Sequence, residues 1–411
     1  MTTKLYALLV FLMLCFTTVV SFAQQTTSIP DAARATQFND LKSLANNGDA
    51  RSQVKLGVLY YEGKKVNKDY VEALKWFTKA AELGNSEGQW RLGKMFEANE
   101  GTEKNYNEAV KWYRKAADQG DAEGQCRLGY MYSEGNGVEK DNQKAMEWYR
   151  LSAEHGNAEG QWRYGESCGA VHGYAGYPER LKWYKKSAEQ GNDIAQTKLA
   201  AMYESTEGGL KLNFVEAAKW YKKAAEQDNS YAQRRFGDMN YAGKGVVKNT
   251  VAAAIWYRKA ATQNDWVAQH YLGEMYKNGI GVQKNIKEAK NWYQKAAEHY
   301  IAASQYQLGN IFEKGVDIPV DYTFAHVWYS LANDTWSGKN DPMTKSMFSA
   351  DNDTIVAALA RIEKKMTQKQ VAEANRIADE KIKGVNPRYI AAVNFYFIQE
   401  KFYQKSPALS K

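Results

Sequence analysis

Tryptophan recurs along this chain at an almost constant spacing, and that spacing constrains the fold more than any other feature. Successive steps of 36, 36, 35, 37, 36, 36 and 36 residues separate Trp76, Trp112, Trp148, Trp183, Trp220, Trp256, Trp292 and Trp328. The same steps separate Gly57, Gly93, Gly129, Gly165, Ala200, Gly237, Gly273 and Gly309. A fixed period of this length predicts eight copies of one supersecondary unit, from about residue 50 to residue 333.

Each unit has the pattern of two helices joined by a glycine-rich loop. In the unit that begins at Ala122, helical spacing of apolar and small residues predicts helix A over 122–133 and helix B over 142–155. Helix B should end at a residue that tolerates a left-handed backbone, which is Gly84, Gly120, Gly156, Gly191, Asp228 or Asn264 in successive units. Such a unit buries its apolar stripe only by stacking on its neighbours, so the sequence predicts an all-α solenoid.

Polar residues repeat with the same period. Asp69, Asn105, Asn213 and Asn285 precede helix B, and a glutamate follows three residues later, which predicts capping boxes. A glutamine ladder, expected to form interhelical hydrogen bonds, comprises Gln53, Gln89, Gln125, Gln161, Gln196, Gln233, Gln269 and Gln305. In the repeated phrase WYRKAA at 112–117, we expect Trp112 and Tyr113 to be buried, and Arg114 and Lys115 to point to water.

These motifs carry a resemblance to a known family. The pattern A-x-x-Q-x-x-L-G-x-M-Y, a G-x-G-V loop, K-[DN], and then A-x-x-W-Y-x-K-A-A-E-x-G-[ND] resembles the Sel-one-like repeat family, relatives of the tetratricopeptide repeats, over residues 37–333. The segment 351–383 resembles the closing part of that family. The resemblance implies an α–α superhelix with helices A on the concave face, and a role as an adaptor or interaction scaffold. It also implies that bacterial members are often exported.

The N-terminus predicts an exported chain. Lys4, an apolar run over 5–20 and Ser21-Phe22-Ala23 indicate a signal peptide over 1–23, cleaved before Gln24; the alternative is an uncleaved membrane anchor. We expect a linker over 24–36, the solenoid over 37–333, a capping segment over 334–383 and an aromatic C-terminal helix over 384–411. This helix either caps the solenoid or docks on a partner or membrane surface. Periplasmic and secreted locations remain open.

The charge points to anionic partners. The formal net charge of +8 becomes +7 once Lys4 is removed. Outside the cytoplasm, a basic surface favours acidic proteins, lipid head groups or wall polymers over nucleic acid. Cys126 and Cys168 remain in the mature chain and could form one disulfide, although the sequence gives no geometry.

Motifs for catalysis are weak. The phrase G-x-S-x-G at 84–88 belongs to serine hydrolases only when a strand precedes it, and here it joins two helices. The five histidines lack metal-ligand spacing. One cysteine-rich branch of the family has been credited with β-lactamase activity, but this chain lacks the paired cysteines of that branch. We therefore predict no enzyme, no catalytic or metal site and no cofactor.

A basic series on helix A is the better candidate for function. It lies two residues before the repeat glycine and comprises Lys55, Arg91, Arg127, Arg163, Lys198 and Arg235. The preceding position holds Trp90, Trp162, Arg234, His270 and Tyr306, and we expect both positions to be at least partly exposed. Together they predict a basic, aromatic groove for partners, with Lys55, Arg91, Arg127, Arg163, Lys198, Arg235, Trp90 and Trp162 as contact residues. The alternative is a solvated face paired with Glu87, Glu123 and Glu159.

The fourth unit departs from the pattern over residues 168–178, where the G-x-G-V loop is missing. This segment is either a local kink of the solenoid or a binding loop that carries His172. The sequence as a whole predicts an exported, non-enzymatic scaffold that binds protein partners with an acidic or anionic surface. The alternatives are a binder of cell-wall polymer or anionic membrane surface, and a secreted hydrolase of β-lactamase type.

Overall fold

A computed structural model describes residues 31–205, 211–337 and 349–383, so the predicted signal peptide and the predicted helix over 384–411 lie outside it. The described residues form nineteen α-helices and one 3-10 helix, with no strand among them. The predicted all-α solenoid of repeats is confirmed. The chain divides into two compact units, Met1–Gly160 (unit 1) and Gln161–Lys411 (unit 2).

Helices A and B alternate along both units. Unit 1 contains α1 (Asp31–Asn46), α2 (Ala50–Glu62), α3 (Tyr70–Glu82), α4 (Ser86–Ala98), α5 (Tyr106–Asp118), α6 (Ala122–Glu134), α7 (Asn142–Glu154) and the first residues of α8 (Ala158–His172). Unit 2 continues with the 3-10 helix Gly173–Gly176, α9 (Tyr177–Glu189), α10 (Asp193–Glu204), α11 (Phe214–Glu226), α12 (Ser230–Ala242), α13 (Thr250–Thr262), α14 (Trp266–Asn278), α15 (Ile286–Glu298), α16 (Ala302–Lys314), α17 (Tyr322–Ser337), α18 (Ser349–Glu363) and α19 (Gln368–Ile382).

The repeat glycine of helix A faces an aromatic ring of helix B in its own pair. A Cβ atom on Gly129 would lie 2.8 Å from Cδ1 of Tyr149, closer than packed carbons allow. The same contact recurs at Gly57–Phe77, Gly93–Tyr113, Gly165–Tyr184, Gly237–Tyr257, Gly273–Tyr293 and Gly309–Tyr329. The most deeply buried aromatic of each pair is therefore the residue that follows the tryptophan.

The repeat tryptophans are not uniformly buried, which corrects one expectation. Tyr113 is fully buried, as predicted, but Trp112 is half-buried. Arg114 and Lys115 are exposed, as predicted, and the Lys115 ammonium lies 3.9 Å from the centroid of the Trp112 ring. Equivalent contacts join Lys79 to Trp76, Lys186 to Trp183, Lys223 to Trp220, Lys259 to Trp256 and Lys295 to Trp292. Each lysine covers one face of an indole ring that would otherwise meet solvent.

The glutamine ladder forms interhelical hydrogen bonds, as predicted. Nε2 of Gln125 donates to the carbonyl of Ala117, eight residues earlier on the preceding helix B, at 3.2 Å. The same bond is made by Gln53, Gln89, Gln196, Gln233, Gln269 and Gln305. Each bond satisfies a carbonyl at the C-terminal end of a helix, where the helix itself supplies no donor.

The helix termini agree with the sequence except in one detail. Asn105 caps α5 by accepting from the backbone N–H of Glu108, and Gly84, Gly120, Gly156, Gly191, Asp228 and Asn264 all have positive φ. The returning glutamate bond of a capping box is wrong for all four predicted caps, because the backbone N–H of each cap already donates to a carbonyl of the preceding helix A. These bonds are Asp69 to Tyr60, Asn105 to Phe96, Asn213 to Tyr203 and Asn285 to Tyr276. Glu108 pairs with Lys111 at 2.6 Å instead. A complete capping box occurs at Thr367 and Gln370, at the start of α19.

The loop expected over residues 168–178 is mostly helical. Helix α8 continues to His172, a 3-10 turn follows, and α9 begins at Tyr177 with Pro178 in its first turn. Gly169 leaves room for the Arg180 side chain, since a Cβ atom there would lie 1.8 Å from Nη2 of Arg180. The side chain of His172 lies outside the described part of the chain, so a binding role for it stays a prediction. Cys126 in unit 1 and Cys168 in unit 2 are both buried.

Two further helices close the described part of unit 2. Helices α18 and α19 pack on α17 through Ile355, Ala358, Ile362, Ala374 and Ala378. Glu313 of α16, whose side chain is 8% exposed, holds α18, because it receives two hydrogen bonds from the Arg361 guanidinium, at 2.9 and 2.7 Å. Among the helices described, none combines the length and the hydropathy needed to cross a bilayer.

Candidate partner-binding groove

A concave site of about 840 Å³ lies on the helix-A side of unit 1. Its apolar lining consists of Leu41 of α1 and Val54, Val58 and Leu59 of α2. Four cations surround this floor: Arg51, Lys55, Lys65 and Arg91. Asn85, Ser86, Glu87 and Asp121 complete the wall, where the hydroxyl of Ser86 donates to Oδ2 of Asp121 at 2.9 Å. We call this site the unit-1 groove.

The cations of the groove differ in how they are paired. Arg91 lies 2.9 Å from Glu87, one turn earlier on α4, and its guanidinium stacks 4.4 Å above the Trp90 ring. Arg51, Lys55 and Lys65 are exposed and make no ion pair with any described residue. The groove therefore presents an apolar floor beneath four cations and two carboxylates, so its potential is positive although Glu87, Asp121 and the nearby Asp49 neutralise part of it.

Comparison between repeats explains why the unpaired positive charge is concentrated in the first repeat. The position one turn before the basic residue of helix A holds a glutamate in repeats two to four, namely Glu87, Glu123 and Glu159. The first repeat has Arg51 there. Lys55 consequently lacks the i,i+4 carboxylate that Arg91, Arg127 and Arg163 have, and two cations lie on adjacent turns of α2. The reversal is visible in the sequence, so Arg51 and Lys65 could have been included among the candidate residues.

The third predicted cation of unit 1 is neutralised. Nε of Arg127 lies 2.8 Å from Glu123, and its Nη2 lies 3.5 Å from Glu159. Burial opposes the charge of this guanidinium, but the two carboxylates outweigh it and raise the pKa of Arg127. Arg127 therefore fits the alternative of a face whose cations pair with glutamates. Lys55, which makes no ion pair with a described residue, fits the alternative of a basic groove. Trp90 is half-buried against the core of unit 1.

In unit 2 the predicted residues gather around one indole ring. Arg163 and Lys198 lie 4.6 and 5.7 Å from the centroid of Trp162. Lys198 also contacts Glu166 at 2.7 Å. Burial would raise the pKa of Glu166, but hydrogen bonds from Lys198 and Tyr184 lower it. This arrangement is a paired, stacked cluster rather than an open cationic site.

The exposure predicted for Arg235, Arg234 and His270 is wrong. Arg235 is 7% exposed and contacts Glu204 at 2.7 Å and Asp238 at 3.3 Å. Arg234 is 1% exposed and its Nε donates to Asp265 at 3.0 Å. His270 is buried beside the hydroxyl of Ser304, at 2.8 Å. Burial removes these groups from water at a substantial cost, and acidic and polar partners on the same or neighbouring helices offset that cost.

The described residues contain no cluster of three or more histidine, cysteine, aspartate or glutamate side chains placed to hold a metal ion. The chemistry available in the groove is that of charge and apolar contact. Both are suited to recognising a macromolecular surface.

Comparisons with known proteins agree with this architecture. A model of the Sel1 repeat matches residues 50–85, 86–121, 122–157, 181–192, 193–229, 230–265, 266–300 and 302–334. The crystal structure of a protective antigen from uropathogenic Escherichia coli strains, described as an SLR fold, is 33% identical, with a TM-score of 0.68; the match covers 91% of this chain and 75% of that one. A Sel1 repeat protein from Oxalobacter formigenes is 28% identical, with a TM-score of 0.51, over 59% of this chain and 96% of that one. No curated protein matches the chain.

The family match extends over more than half of the sequence, in phase with the predicted period. Sel1-repeat proteins generally act as non-enzymatic scaffolds for protein–protein interaction. The resemblance inferred from the tryptophan and glycine series is confirmed, and the chain belongs to the Sel1 repeat family.

Proposed function

We propose that this chain is an exported, non-enzymatic scaffold that binds a protein partner with an acidic surface in the unit-1 groove. The observation that carries the proposal is the pair Arg51 and Lys55, which lie on adjacent turns of α2 above an apolar floor and have no ion-pair partner among the described residues. A partner segment with acidic and apolar side chains on one face would match both the cations and the apolar residues that α2 contributes to the groove.

Export is supported by the composition of residues 1–23. The E. coli relative is described as a protective antigen, which fits a chain encountered outside the cytoplasm. Mass spectrometry of the chain purified from its native cells tests this part directly. Export with processing predicts a mature N-terminus at Gln24, whereas a retained Met1 in a soluble cytoplasmic fraction would contradict it.

The groove is tested by charge reversal at two positions that no ion pair constrains. The variant R51E/K55E should lose partners that the wild type captures from an envelope fraction, and the captured partner should dissociate as salt rises. The matched control is K104E/K140E, which makes the same change of net charge on loop lysines of unit 1 that do not line the groove. Equal capture by all three proteins would contradict the proposed groove.

A further inference from the structure

Two loops of unit 2 lack negative charge altogether. Loop 243–249 and loop 279–285 join helix A to helix B, and together they contain Lys244, Lys248 and Lys284 but no aspartate or glutamate. Every corresponding loop of unit 1 contains at least one acidic residue: Asp69 in 63–69, which also holds three lysines, Glu100 and Glu103 in 99–105, and Glu139 and Asp141 in 135–141. The repeat therefore tolerates acidic residues here, and unit 2 omits them from these two loops.

The two loops form one continuous surface with the starts of two helices B. Gly245 has a φ of 70°, and a Cβ atom there would lie 1.9 Å from the carbonyl oxygen of Phe214, the first residue of α11. Gly281 has a φ of 69° and meets the carbonyl of Thr250, the first residue of α13, in the same way. Each loop is thus packed on the N-terminus of the preceding helix B. The positive ends of the α11 and α13 dipoles add to the lysine charge.

Apolar side chains project from the same surface. Val247 is 90% exposed, the highest value among the large hydrophobic residues described. Val215 and Val251, in the first turns of α11 and α13, are 64% and 57% exposed. Lys248 and Lys284 make no ion pair with described residues, and Lys244 lies over the Phe214 ring at 5.6 Å. The acid on this part of α11, Glu216, lies 3.5 Å from Lys219.

We propose that this lysine–valine face, defined by Lys244, Val247, Lys248, Lys284, Val215 and Val251, docks on an anionic phospholipid bilayer. Val247 enters the boundary between head groups and acyl chains, and the flanking lysines contact lipid phosphates. An apolar loop tip with a lysine on either side matches a surface whose charge lies above its apolar layer. The inference is independent of the unit-1 groove, because it uses other residues and another kind of partner.

A local probe tests the insertion of Val247. A cysteine introduced at position 247 and labelled with an environment-sensitive dye should gain intensity and shift to the blue with phosphatidylglycerol vesicles, and not with phosphatidylcholine vesicles. Asn67 occupies the same loop position in unit 1 and provides the matched control site. Both variants are full-length and carry Cys15→Ser, since Cys126 and Cys168 are buried. An unchanged spectrum at 247, or the same shift at 67, would overturn the proposal.

Vesicle sedimentation tests the two kinds of contact separately. Each lysine beside an anionic membrane contributes about fivefold in partitioning, so K248E/K284E should weaken binding by at least about 25-fold. The control K104E/K140E changes the equivalent loop positions of unit 1 and should bind as the wild type does. All variants share residues 1–30, so any binding through that segment is a constant background.

The apolar contact of Val247 with the membrane is tested by a second variant and its matched control. V247N should weaken binding by roughly tenfold, and Asn67 shows that asparagine fits this loop position. V71N replaces an exposed valine of unit 1 at a position where the next repeat has Asn107, and it should have no effect. Wild-type binding by V247N, or equal losses in V247N and V71N, would contradict docking through the lysine–valine face.

Discussion

Nε2 of Gln119 donates a hydrogen bond of 2.7 Å to Oε1 of Gln89, a buried residue thirty positions earlier. Gln89 in turn donates to the carbonyl of Ala81. One glutamine therefore connects the end of the preceding helix B with the end of the following one. The first repeat lacks the second half of this link, because Leu83 stands where Gln119 stands in the next repeat. Oε1 of Gln53 is buried there with no partner among the described residues.

The substitution Leu83→Gln should stabilise unit 1. Leu83 is 58% exposed, so little apolar burial is lost, and a glutamine there reaches Oε1 of Gln53 as Gln119 reaches Gln89. Satisfying a buried acceptor contributes about 1 kcal/mol, which should appear as a higher Tm and a higher denaturant midpoint. Leu83→Ala removes the same apolar surface without adding a donor and serves as the control. If both variants gain equally, the hydrogen bond is not the cause.

The substitution Gly129→Ala should destabilise unit 1 by roughly 1–3 kcal/mol. The new methyl group would lie 2.8 Å from the Tyr149 ring, so α6 and α7 would have to separate. Denaturant unfolding measures the loss. In the double variant with Tyr149→Leu, the narrower side chain removes the clash, so the two changes together should cost less than their sum. Strict additivity would show that the ring does not limit the approach of the helices.

Acid should release the C-terminal helices before the repeats unfold. Hydrogen bonds from Arg361 and Tyr329, opposed by burial, lower the pKa of Glu313 from its usual 4.5 to about 2. A depressed pKa means that this carboxylate contributes stability at neutral pH, and that the contribution is lost as pH falls from about 4.5 to about 2. Its size is on the order of 2–3 kcal/mol.

Hydrogen exchange of α18 and α19 between pH 5 and pH 2 measures this release. In Glu313→Gln, the neutral amide should weaken the docking at pH 7 and remove most of the pH dependence over that interval. A mutant that keeps the full acid response of the wild type would assign the response to other carboxylates.

Truncation of Arg234 should strongly destabilise the fold, although the sequence pattern predicts an exposed residue at this position. The change Arg234→Ala leaves Asp265 without its buried counter-charge, while Asp238 keeps its contact with Arg235, and the loss should be about 3–5 kcal/mol. Adding Asp265→Asn, which retains an oxygen to cap α14, should recover part of that loss. Arg258→Ala, on the exposed face of α13, should change the free energy of unfolding by under about 0.5 kcal/mol. Similar losses at both arginines would contradict the buried pairing.

The features predicted best from the sequence are those set within one repeat. The glutamine ladder, the left-handed helix ends and the N-caps depend on residues at fixed offsets along a 36-residue period, so the pattern alone locates their partners. The deeper burial of Tyr113 than of Trp112 is harder to predict from the sequence, because both residues lie near the apolar stripe. A signal was present, since a glycine recurs twenty residues before the tyrosine and leaves room for its ring.

The features predicted worst depend on departures from the repeat. Arg234 and Arg235 are buried because Asp265, Asp238 and Glu204 lie near them, and a helical wheel of one helix contains none of those neighbours except Asp238. The unpaired charge of the unit-1 groove likewise arises from one exchange, Arg51 in place of the glutamate of repeats two to four. Such exchanges can be read only by comparing each position with its equivalents in other repeats.

The link through Gln89 spans Ala81 to Gln119, a distance of 38 residues that is longer than one repeat. Its bonds therefore depend on the phase of the chain rather than on any particular copy. A duplication or loss of one whole repeat would keep the spacing of these links, and a link is complete wherever the position equivalent to Gln119 holds a side chain that can donate to the ladder glutamine. An insertion of a single residue within a helix would disrupt links on both sides. The spacing of the glutamine ladder thus allows the solenoid to gain or lose whole repeats while the hydrogen-bond pattern between helices keeps its phase.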